Sequence, residues 1–312
     1  MRRERLQGVF TALVTPFDAH GGLDESAIRG LARAQIAAGV AGMVPAGTTG
    51  EGATLSDAEH RRLVEIVVEE AAMAPPPRKV WVFAGAGSND TRQACALGVS
   101  ARSAGADGLL VVTPYYNKPT QAGLKAHFVA VAEAAELPVL LYNVPGRTGV
   151  NLLPETVLAL AEREEFWGVK EASGQLDQVS RILASRPASF AVLAGDDALA
   201  LPVVALGGDG VVSVASNAAP AQMVDLLDAA LAGERARAVA LYRRLAPLLH
   251  ANFVEPNPIP VKWALWRLGF LADRLRLPLQ SATLSTRRTM TEALERAGLL
   301  VDSAASGAET AA

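Results

Sequence analysis

The chain has 312 residues, half of them hydrophobic, which is enough for one large domain or two small ones around a sizeable buried core. The net charge of −3, the pI near 5.9 and the lack of a dense Lys/Arg run argue against a nucleic-acid-binding protein. The apolar stretches are broken by Asp or Gly before they reach membrane-spanning length, and the lone Cys95 excludes an internal disulfide, so we expect a cytoplasmic protein without a membrane partner.

Short apolar runs recur along the chain, with helical patterns between them. Most of the runs are continuously apolar, as is typical of parallel strands that are buried on both faces. Eight strands alternating with helices predict a closed (β/α)8 barrel of the TIM type. The alternative is an open doubly wound sheet, but no GxGxxG fingerprint follows the first run. The eight predicted strands are residues 9–14, 42–45, 80–84, 108–112, 139–142, 167–170, 191–194 and 210–214.

The helical segments carry their own signals. Ser56 and Glu59 have the spacing of a capping box, and the apolar residues that follow fall on one helical face. After the eighth strand, about 90 residues continue with helical patterns, the first of which stops at Gly233. We therefore divide the chain into a catalytic barrel domain (1–219), a C-terminal helical region packed on the barrel or on a partner subunit (220–300), and a tail expected to be disordered (301–312).

Lys170 is the strongest candidate for chemistry because it alone among the five lysines ends an apolar strand, at the barrel end where catalytic groups gather. The barrel interior is expected to desolvate the ammonium group, lower its pKa and free the amine to attack a carbonyl. The 24 arginines stay protonated and cannot act in this way. Lys262 falls in the C-terminal region. The alternative reading is a structural Lys170 paired with Glu171 or another acid.

Three further positions suit the same chemistry, and each has a plain structural alternative. Tyr142 ends the strand before Lys170 and can pass protons to and from a carbinolamine, or it can simply cap the barrel mouth. Thr48 and Thr49 lie in a Gly-flanked loop that can bind a carboxylate, or that can be a tight turn. Arg147 can hold a carboxylate in bidentate fashion, or it can form a surface ion pair.

Other chemistries are disfavoured. The four histidines are scattered without HxH or HExxH spacing, so we expect no metal and no zinc-dependent aldolase. Neither a Walker A loop nor a GxSxG elbow is present. Asp196 and Asp197 stand where many barrels hold a phosphate, and their charge disfavours a phosphate-binding barrel isomerase.

These residues resemble the dihydrodipicolinate synthase family of pyruvate-dependent class I aldolases. The resemblance extends from residue 8 to residue 298 and rests on a combination of segments, none of which is specific alone. The segments are residues 47–51 (GTTGE), 113–119 (TPYYNKP), 142–145 (YNVP), 146–149 (GRTG), 169–171 (VKE) and 254–262 (VEPNPIPVK).

The resemblance implies a condensation of pyruvate with aspartate semialdehyde that gives 4-hydroxy-tetrahydrodipicolinate, in lysine and diaminopimelate biosynthesis. It implies that Lys170 forms a Schiff base with C2 of pyruvate and that no metal or organic cofactor takes part. It also implies a proton relay of Tyr142, Thr48 and Tyr116, with Tyr116 donated by a neighbouring subunit.

The resemblance assigns the binding of both substrates as well. Thr49, Gly195 and Val212 would line the pyruvate pocket, and Arg147 would bind the carboxylate of the semialdehyde. Members of this family are usually homotetramers built from two tight dimers, so we expect the same assembly here.

Some members of the family are inhibited by lysine, which binds between the subunits of a dimer. Sensitive members favour His at the position of Asp57 and Glu at the position of Gln93, and a neutral Gln pairs less well with an ammonium group. We therefore predict weak or absent inhibition by lysine. The candidate regulatory interface consists of Gly52, Ala53, Asp57, His60, Asn89, Gln93 and Tyr115.

The nearest rival is a sister aldolase, such as N-acetylneuraminate lyase or a 2-keto-3-deoxy sugar-acid aldolase. Those enzymes act on polyhydroxylated aldehydes and generally lack the Arg-Thr-Gly segment, which makes Arg147 the discriminating residue. A second rival, a non-enzymatic binding or regulatory barrel, is disfavoured because the candidate catalytic set is intact.

Overall fold

The computed structural model describes residues 3–300, and the tail predicted at 301–312 lies outside them. Eight parallel strands form a closed barrel in which each strand pairs with the next along the chain. Strand β8 pairs with β1 and closes the circle. The predicted (β/α)8 barrel is confirmed. Its strands are β1 (Gly8–Ala12), β2 (Gly42–Val44), β3 (Trp81–Gly85), β4 (Gly108–Val112), β5 (Val139–Asn143), β6 (Phe166–Glu171), β7 (Ala191–Ala194) and β8 (Gly210–Ser213).

All eight predicted strands are present, and their ends lie within two residues of the prediction. Strand β1 ends early because the N–H of Val14 donates to Asn217 Oδ1 at 3.1 Å and leaves the strand ladder. Strand β2 ends before Pro45, which has no N–H to donate. Strand β8 ends before Val214, whose N–H donates to Asp197 Oδ2 at 2.9 Å. Side-chain acceptors from outside the strands therefore set the ends of β1 and β8, and the missing N–H of Pro45 sets the end of β2.

Helices surround the barrel and continue past it. Helix α2 begins at the capping box of Ser56 and Glu59, as the sequence predicts. The helices are α1 (Glu25–Ala38), α2 (Asp57–Ala71), α3 (Thr91–Ser103), α4 (Gln121–Ala135), α5 (Pro145–Thr148), α6 (Pro154–Ala161), α7 (Leu176–Ser185), α8 (Ala200–Ala205), α9 (Pro220–Leu231), α10 (Arg235–Ala251), α11 (Ile259–Arg267) and α12 (Leu284–Arg296).

Two apolar clusters hold the fold together. One lies between the barrel and its helices, and the other fills the barrel interior. The interior is closed at the N-terminal end by aromatic residues, among which Trp81 and Trp167 meet edge to face with ring centroids 5.6 Å apart. Since this end is filled, the space for a ligand lies at the opposite, C-terminal end of the strands.

The C-terminal helices are joined closely to the barrel. Helix α9 packs on β1 and α1, and it stops before Gly233, whose φ of 75° only glycine adopts without strain. Helix α11 carries Lys262, which is fully buried and donates to the carbonyl oxygen of Thr15 at 2.8 Å. Within residues 3–300, no helix is both long and apolar enough to cross a membrane.

Candidate active site

Lys170 and Tyr142 face each other inside the barrel. They are register partners on β6 and β5, and Lys170 Nζ lies 4.1 Å from the centroid of the Tyr142 ring. Lys170 is only 5% exposed, and its amine forms no hydrogen bond or ion pair within residues 3–300. Glu171 does not pair with it, because neighbouring residues on a strand point to opposite faces. The geometry therefore favours an available amine over a structural ion pair.

A cavity of about 470 Å³ opens at the C-terminal end of the strands, and Tyr142 lies at its wall. Cavities of this size accommodate small-molecule ligands. The cavity continues without a break from the predicted catalytic residues to the predicted regulatory ones. The sequence-predicted residues along its wall are Thr48, Gly52, Ala53, Asp57, His60, Gln93, Tyr115, Tyr142 and Arg147.

The loop between β2 and α2 presents the two predicted threonines differently. Thr48 is exposed to the cavity, whereas Thr49 is buried and its Oγ1 accepts a hydrogen bond from Asn257 Nδ2 at 2.9 Å. A Cβ at Gly52 would lie 2.2 Å from the carbonyl oxygen of Ala46, so the loop needs glycine there. The loop is thus both a tight turn and a source of hydroxyl groups at the site.

A buried ion pair anchors this loop, and sequence reasoning did not find it. Lys262 Nζ donates to Glu51 Oε1 at 2.7 Å, and both side chains are almost completely inaccessible to solvent. Glu51 Oε2 accepts from the N–H of Arg276 at 3.0 Å. Burial lowers the pKa of Lys262, and the adjacent Glu51 carboxylate opposes that shift. The available signal was a single lysine within the otherwise apolar first turns of α11.

Asn257 is a second residue that sequence reasoning missed. It lines the cavity and links two predicted binding residues, because its backbone oxygen lies 3.5 Å from Arg147 Nη2 while its side chain bonds to Thr49. Its Oδ1 is buried and has no hydrogen-bond partner within residues 3–300. A buried acceptor without a partner is costly, so this atom is suited to receive a donor from a ligand.

Gly195 and Val212 lie close to the lysine side chain and its surroundings. A Cβ at Gly195 would come within 3.1 Å of Lys170 Cγ and 2.5 Å of Ala172 Cβ. Val212 is buried in the same interior cluster as Tyr142. Gly195 is thus in contact range of Lys170, and neither Gly195 nor Val212 is part of the cavity wall.

Tyr116 stands apart from the other predicted catalytic residues. It is 89% exposed and has a φ of 74°, and its N–H lies 3.3 Å from the carbonyl oxygen of Thr148. Within residues 3–300, no side-chain hydrogen bond joins Tyr116, Thr48 and Tyr142. The predicted relay is not assembled by one copy of the chain.

Six of the seven predicted regulatory residues line the same cavity, namely Gly52, Ala53, Asp57, His60, Gln93 and Tyr115. Gln93 Nε2 donates to Asp57 Oδ1 at 3.2 Å. His60 is buried with Nε2 2.6 Å from the carbonyl oxygen of Gly85, and burial lowers its pKa. Asn89 is not part of the cavity wall, and its carbonyl oxygen accepts from Asn117 Nδ2 at 2.9 Å.

The two aspartates after β7 have structural contacts. Asp197 is buried, and its Oδ2 accepts from the N–H groups of Val214 and Ala215, both at 2.9 Å. Burial raises the pKa of this carboxyl group. Asp196 Oδ1 accepts from the N–H of Ala198. Across residues 3–300, no three His, Cys, Asp or Glu residues are grouped so that they could hold a metal ion.

Lys170 is not part of the cavity wall itself, but it lies against Tyr142, which is. A (β/α)8 barrel with a buried lysine amine that has no acid partner, next to a ligand-sized cavity, fits the class of barrel enzymes that activate a carbonyl through a lysine. The sequence profile described as the "Dihydrodipicolinate synthetase family" matches residues 5–297. The chain belongs to this family.

Relatives of the chain cover it almost completely. The 4-hydroxy-tetrahydrodipicolinate synthase of Methylobacterium radiotolerans is 49% identical over 97% of this chain and 99% of its own. That of Methylococcus capsulatus is 47% identical over 95% of this chain and all of its own. The dihydrodipicolinate synthase structure from Thermotoga maritima covers 95% of this chain and all of its own, at 42% identity and a TM-score of 0.90. A structure described as a monomeric dihydrodipicolinate synthase variant covers 95% of this chain and 98% of its own, at 42% identity and a TM-score of 0.91.

Proposed function

We propose that this protein catalyses the 4-hydroxy-tetrahydrodipicolinate synthase reaction, which condenses pyruvate with L-aspartate-4-semialdehyde. The observation that carries the proposal is the Lys170 amine, which is buried against the ring of Tyr142 without an acid partner in the described chain. Membership of the family and the names of the relatives support the choice of substrates. The product serves lysine and diaminopimelate biosynthesis.

The reaction begins when the neutral amine of Lys170 attacks C2 of pyruvate. The carbinolamine loses water and becomes an iminium, and loss of a methyl proton gives an enamine. The enamine carbon forms a bond to the aldehyde carbon, whose oxygen takes up a proton and becomes a hydroxyl group. The amine of the second substrate then attacks C2, closes the ring and releases Lys170. One water molecule and one proton, the proton coming from the ammonium group of the semialdehyde, are released besides the product.

The remaining residues have roles in proton transfer and binding. Tyr142 lies against Lys170 and would move protons at the carbinolamine, together with Thr48 and Tyr116. The pyruvate pocket would consist of Thr49, Gly195 and Val212. Because Arg147 is exposed on α5 at the cavity wall, its guanidinium can receive the carboxylate of the semialdehyde.

The proposal includes a homotetramer of two tight dimers in the cytoplasm, in which Tyr116 enters the site of a partner subunit. The exposure of Tyr116 and its absence from the wall of its own cavity support a contribution to another copy. Because one similar structure is described as a monomeric variant, the oligomeric state has to be measured for each member of the family.

The test is pyruvate consumption by the purified protein, with aspartate semialdehyde and N-acetylmannosamine offered in separate reactions. We expect turnover with the semialdehyde only, and a pyruvate adduct on Lys170 after borohydride reduction. The variant Lys170→Ala should lose the adduct and at least about a thousandfold in kcat. Lys79→Ala is the matched control, because Lys79 lies over the ring of Trp81 at the closed end of the barrel and should be dispensable. Turnover with the sugar alone would refute the assignment and the argument from Arg147.

We also predict weak or absent inhibition by lysine. The amide of Gln93 bonds to Asp57 and offers no negative charge to a lysine ammonium. Steady-state rates with increasing lysine should therefore stay nearly constant, and Gln93→Glu should increase the sensitivity. Strong inhibition of the native protein at low lysine would contradict this prediction.

A further inference from the structure

Asn143 and Glu171 directly follow Tyr142 and Lys170 on the neighbouring strands β5 and β6. In the parallel register, Tyr142 is opposite Lys170 and Asn143 is opposite Glu171. Because side chains alternate along a strand, the second pair points away from the barrel interior, toward the surrounding helices. Both side chains of this outer pair are buried.

The outer pair is bonded directly across the two strands. Asn143 Nδ2 lies 3.0 Å from Glu171 Oε2 and 3.3 Å from Oε1. The N–H of Ser173 donates to Oε1 at 2.7 Å, and Gln178 Nε2 donates to Oε2 at 2.9 Å. Within residues 3–300, no lysine or arginine reaches this carboxylate. We call this arrangement the Asn143–Glu171 clamp.

A second layer of amides fixes the orientation of the clamp. Asn143 Nδ2 also donates to Asn151 Oδ1 at 2.8 Å, and Asn143 Oδ1 accepts from the N–H of Leu152 at 2.9 Å. Asn151 Nδ2 donates to Gln178 Oε1 at 2.9 Å. The clamp is thereby tied to α7, which carries Gln178, and to the segment that precedes α6.

The strand pair that carries the clamp has an irregular backbone register. The pairing of β5 with β6 shifts between Val139 and Leu140, two residues below the reactive pair. A slip of one residue would turn Lys170 from the barrel interior to the outer face. The side-chain bonds of the clamp lie above this irregularity and hold the register where the two reactive side chains leave the strands.

We propose that Glu171 and Asn143 are positioning residues that keep Lys170 and Tyr142 at the separation required for Schiff-base chemistry. The inference rests on the proposed function, since it concerns the same reaction. Neither residue lines the cavity, so loss of the clamp affects the alignment of the reacting groups more than the binding of substrates.

The first test is Glu171→Gln, which places an amide NH2 among N–H donors and disrupts the clamp. We expect kcat to fall about 10- to 100-fold while KM for either substrate changes less than about threefold. Borohydride trapping of the pyruvate adduct should slow in parallel. The matched control is Glu70→Gln, a buried glutamate on α2 that pairs with Arg29 and Arg33 far from the site, and it should retain kcat within about twofold.

The second test is the double variant Asn143→Asp with Glu171→Gln, which exchanges donor and acceptor across the strands. Leu152 and Ser173 keep acceptors for their N–H groups, and the amides of Asn151 and Gln178 can rotate to match the reversed polarity. We expect the double variant to recover at least about tenfold in kcat over Glu171→Gln. A glutamate whose carboxylate is required at position 171 itself would not be rescued in this way.

Three outcomes would overturn the inference. The first is a folded Glu171→Gln variant whose kcat and trapping rate stay within about twofold of native. The second is a folded double variant without recovery. If instead the native protein gives no trapped adduct on Lys170, the proposed function fails and the inference fails with it, so the two failures are distinguishable.

Discussion

Gly195 lies beside the reactive lysine, and it has no room for a side chain. A Cβ at this position would come 2.5 Å from Ala172 Cβ and 3.1 Å from Lys170 Cγ. Gly195→Ala should therefore displace Lys170 and lower kcat about tenfold or more, since small misplacements of reacting groups slow a reaction strongly. The measurement is kcat together with the rate of borohydride trapping.

The control for this substitution is Gly30→Ala in α1. A Cβ at Gly30 would meet no atom within 4 Å, and alanine is favoured over glycine inside a helix. The control should stay fully active and gain about 0.5–1 kcal/mol in the free energy of unfolding. A Gly195→Ala variant as active as this control would contradict the steric argument.

At the scale of single residues, the sequence indicates the reactive lysine but not its supports. Lys170 and Tyr142 are found because both end apolar strands, and the barrel brings strand ends together. Asn257 and Lys262 are missed because their partners Thr49 and Glu51 lie 208 and 211 residues away in the chain. No local pattern encodes such contacts. For the same reason, the sequence does not predict the contacts of Asn151 and Gln178, the two amides of the clamp's second layer.

At the scale of elements, helix α11 depends on its buried lysine. Lys262→Met would leave the Glu51 carboxylate buried without its cation, which costs about 3–5 kcal/mol in the free energy of unfolding. Adding Glu51→Gln should recover part of that loss. Urea unfolding measures both variants.

The comparison for the buried pair is the exposed pair of Arg237 and Glu234 at the start of α10. Arg237→Met should lower the free energy of unfolding far less than Lys262→Met, because water screens the charges of the exposed pair. If Lys262→Met and Arg237→Met lowered the free energy of unfolding equally, burial would not be what makes Lys262 important for stability.

The packing of α4 against α3 makes stability depend on pH. His127 is buried on α4 with Nδ1 2.9 Å from Thr91 Oγ1, and burial lowers its pKa from 6.5 to about 4. Between these values the unfolded chain binds more protons than the folded one, so the free energy of unfolding falls as the pH falls. At about 1.4 kcal/mol for each pKa unit, the complete loss below about pH 4 is about 3 kcal/mol.

The variant His127→Gln isolates this contribution. It lacks the titrating ring, so its free energy of unfolding should change less than that of the native protein between about pH 7 and about pH 4. Unfolding in urea at several pH values gives both slopes. Identical slopes would rule out His127 as a source of the pH dependence.

At the scale of the whole molecule, Tyr116 tests how subunits cooperate. If Tyr116 acts in a partner's site, then a Lys170→Ala subunit can supply Tyr116 to a Tyr116→Ala subunit that still has Lys170. Equal mixtures of the two inactive variants, unfolded and refolded together, should regain about a quarter of the native activity. Mixtures that stay inactive while mixed dimers form would place Tyr116 in its own subunit's site.

The architecture of the whole barrel is the part that the sequence predicts best. Eight apolar runs at regular spacing leave few arrangements open, and the closed barrel is among those few. The exact strand ends are less predictable because side chains from outside the strands, such as Asn217 and Asp197, take the place of strand partners. The division at residue 219 stays a prediction.

The bond between Lys262 and Glu51 also limits how related genes can be recombined. A chimera that takes its barrel from one relative and its C-terminal helices from another must match positions 51 and 262, or it buries a charge without a counterion. Expression of the barrel alone would leave the Glu51 carboxylate and the Thr15 carbonyl oxygen without their shared donor. The segments around these two positions are therefore expected to be inherited together.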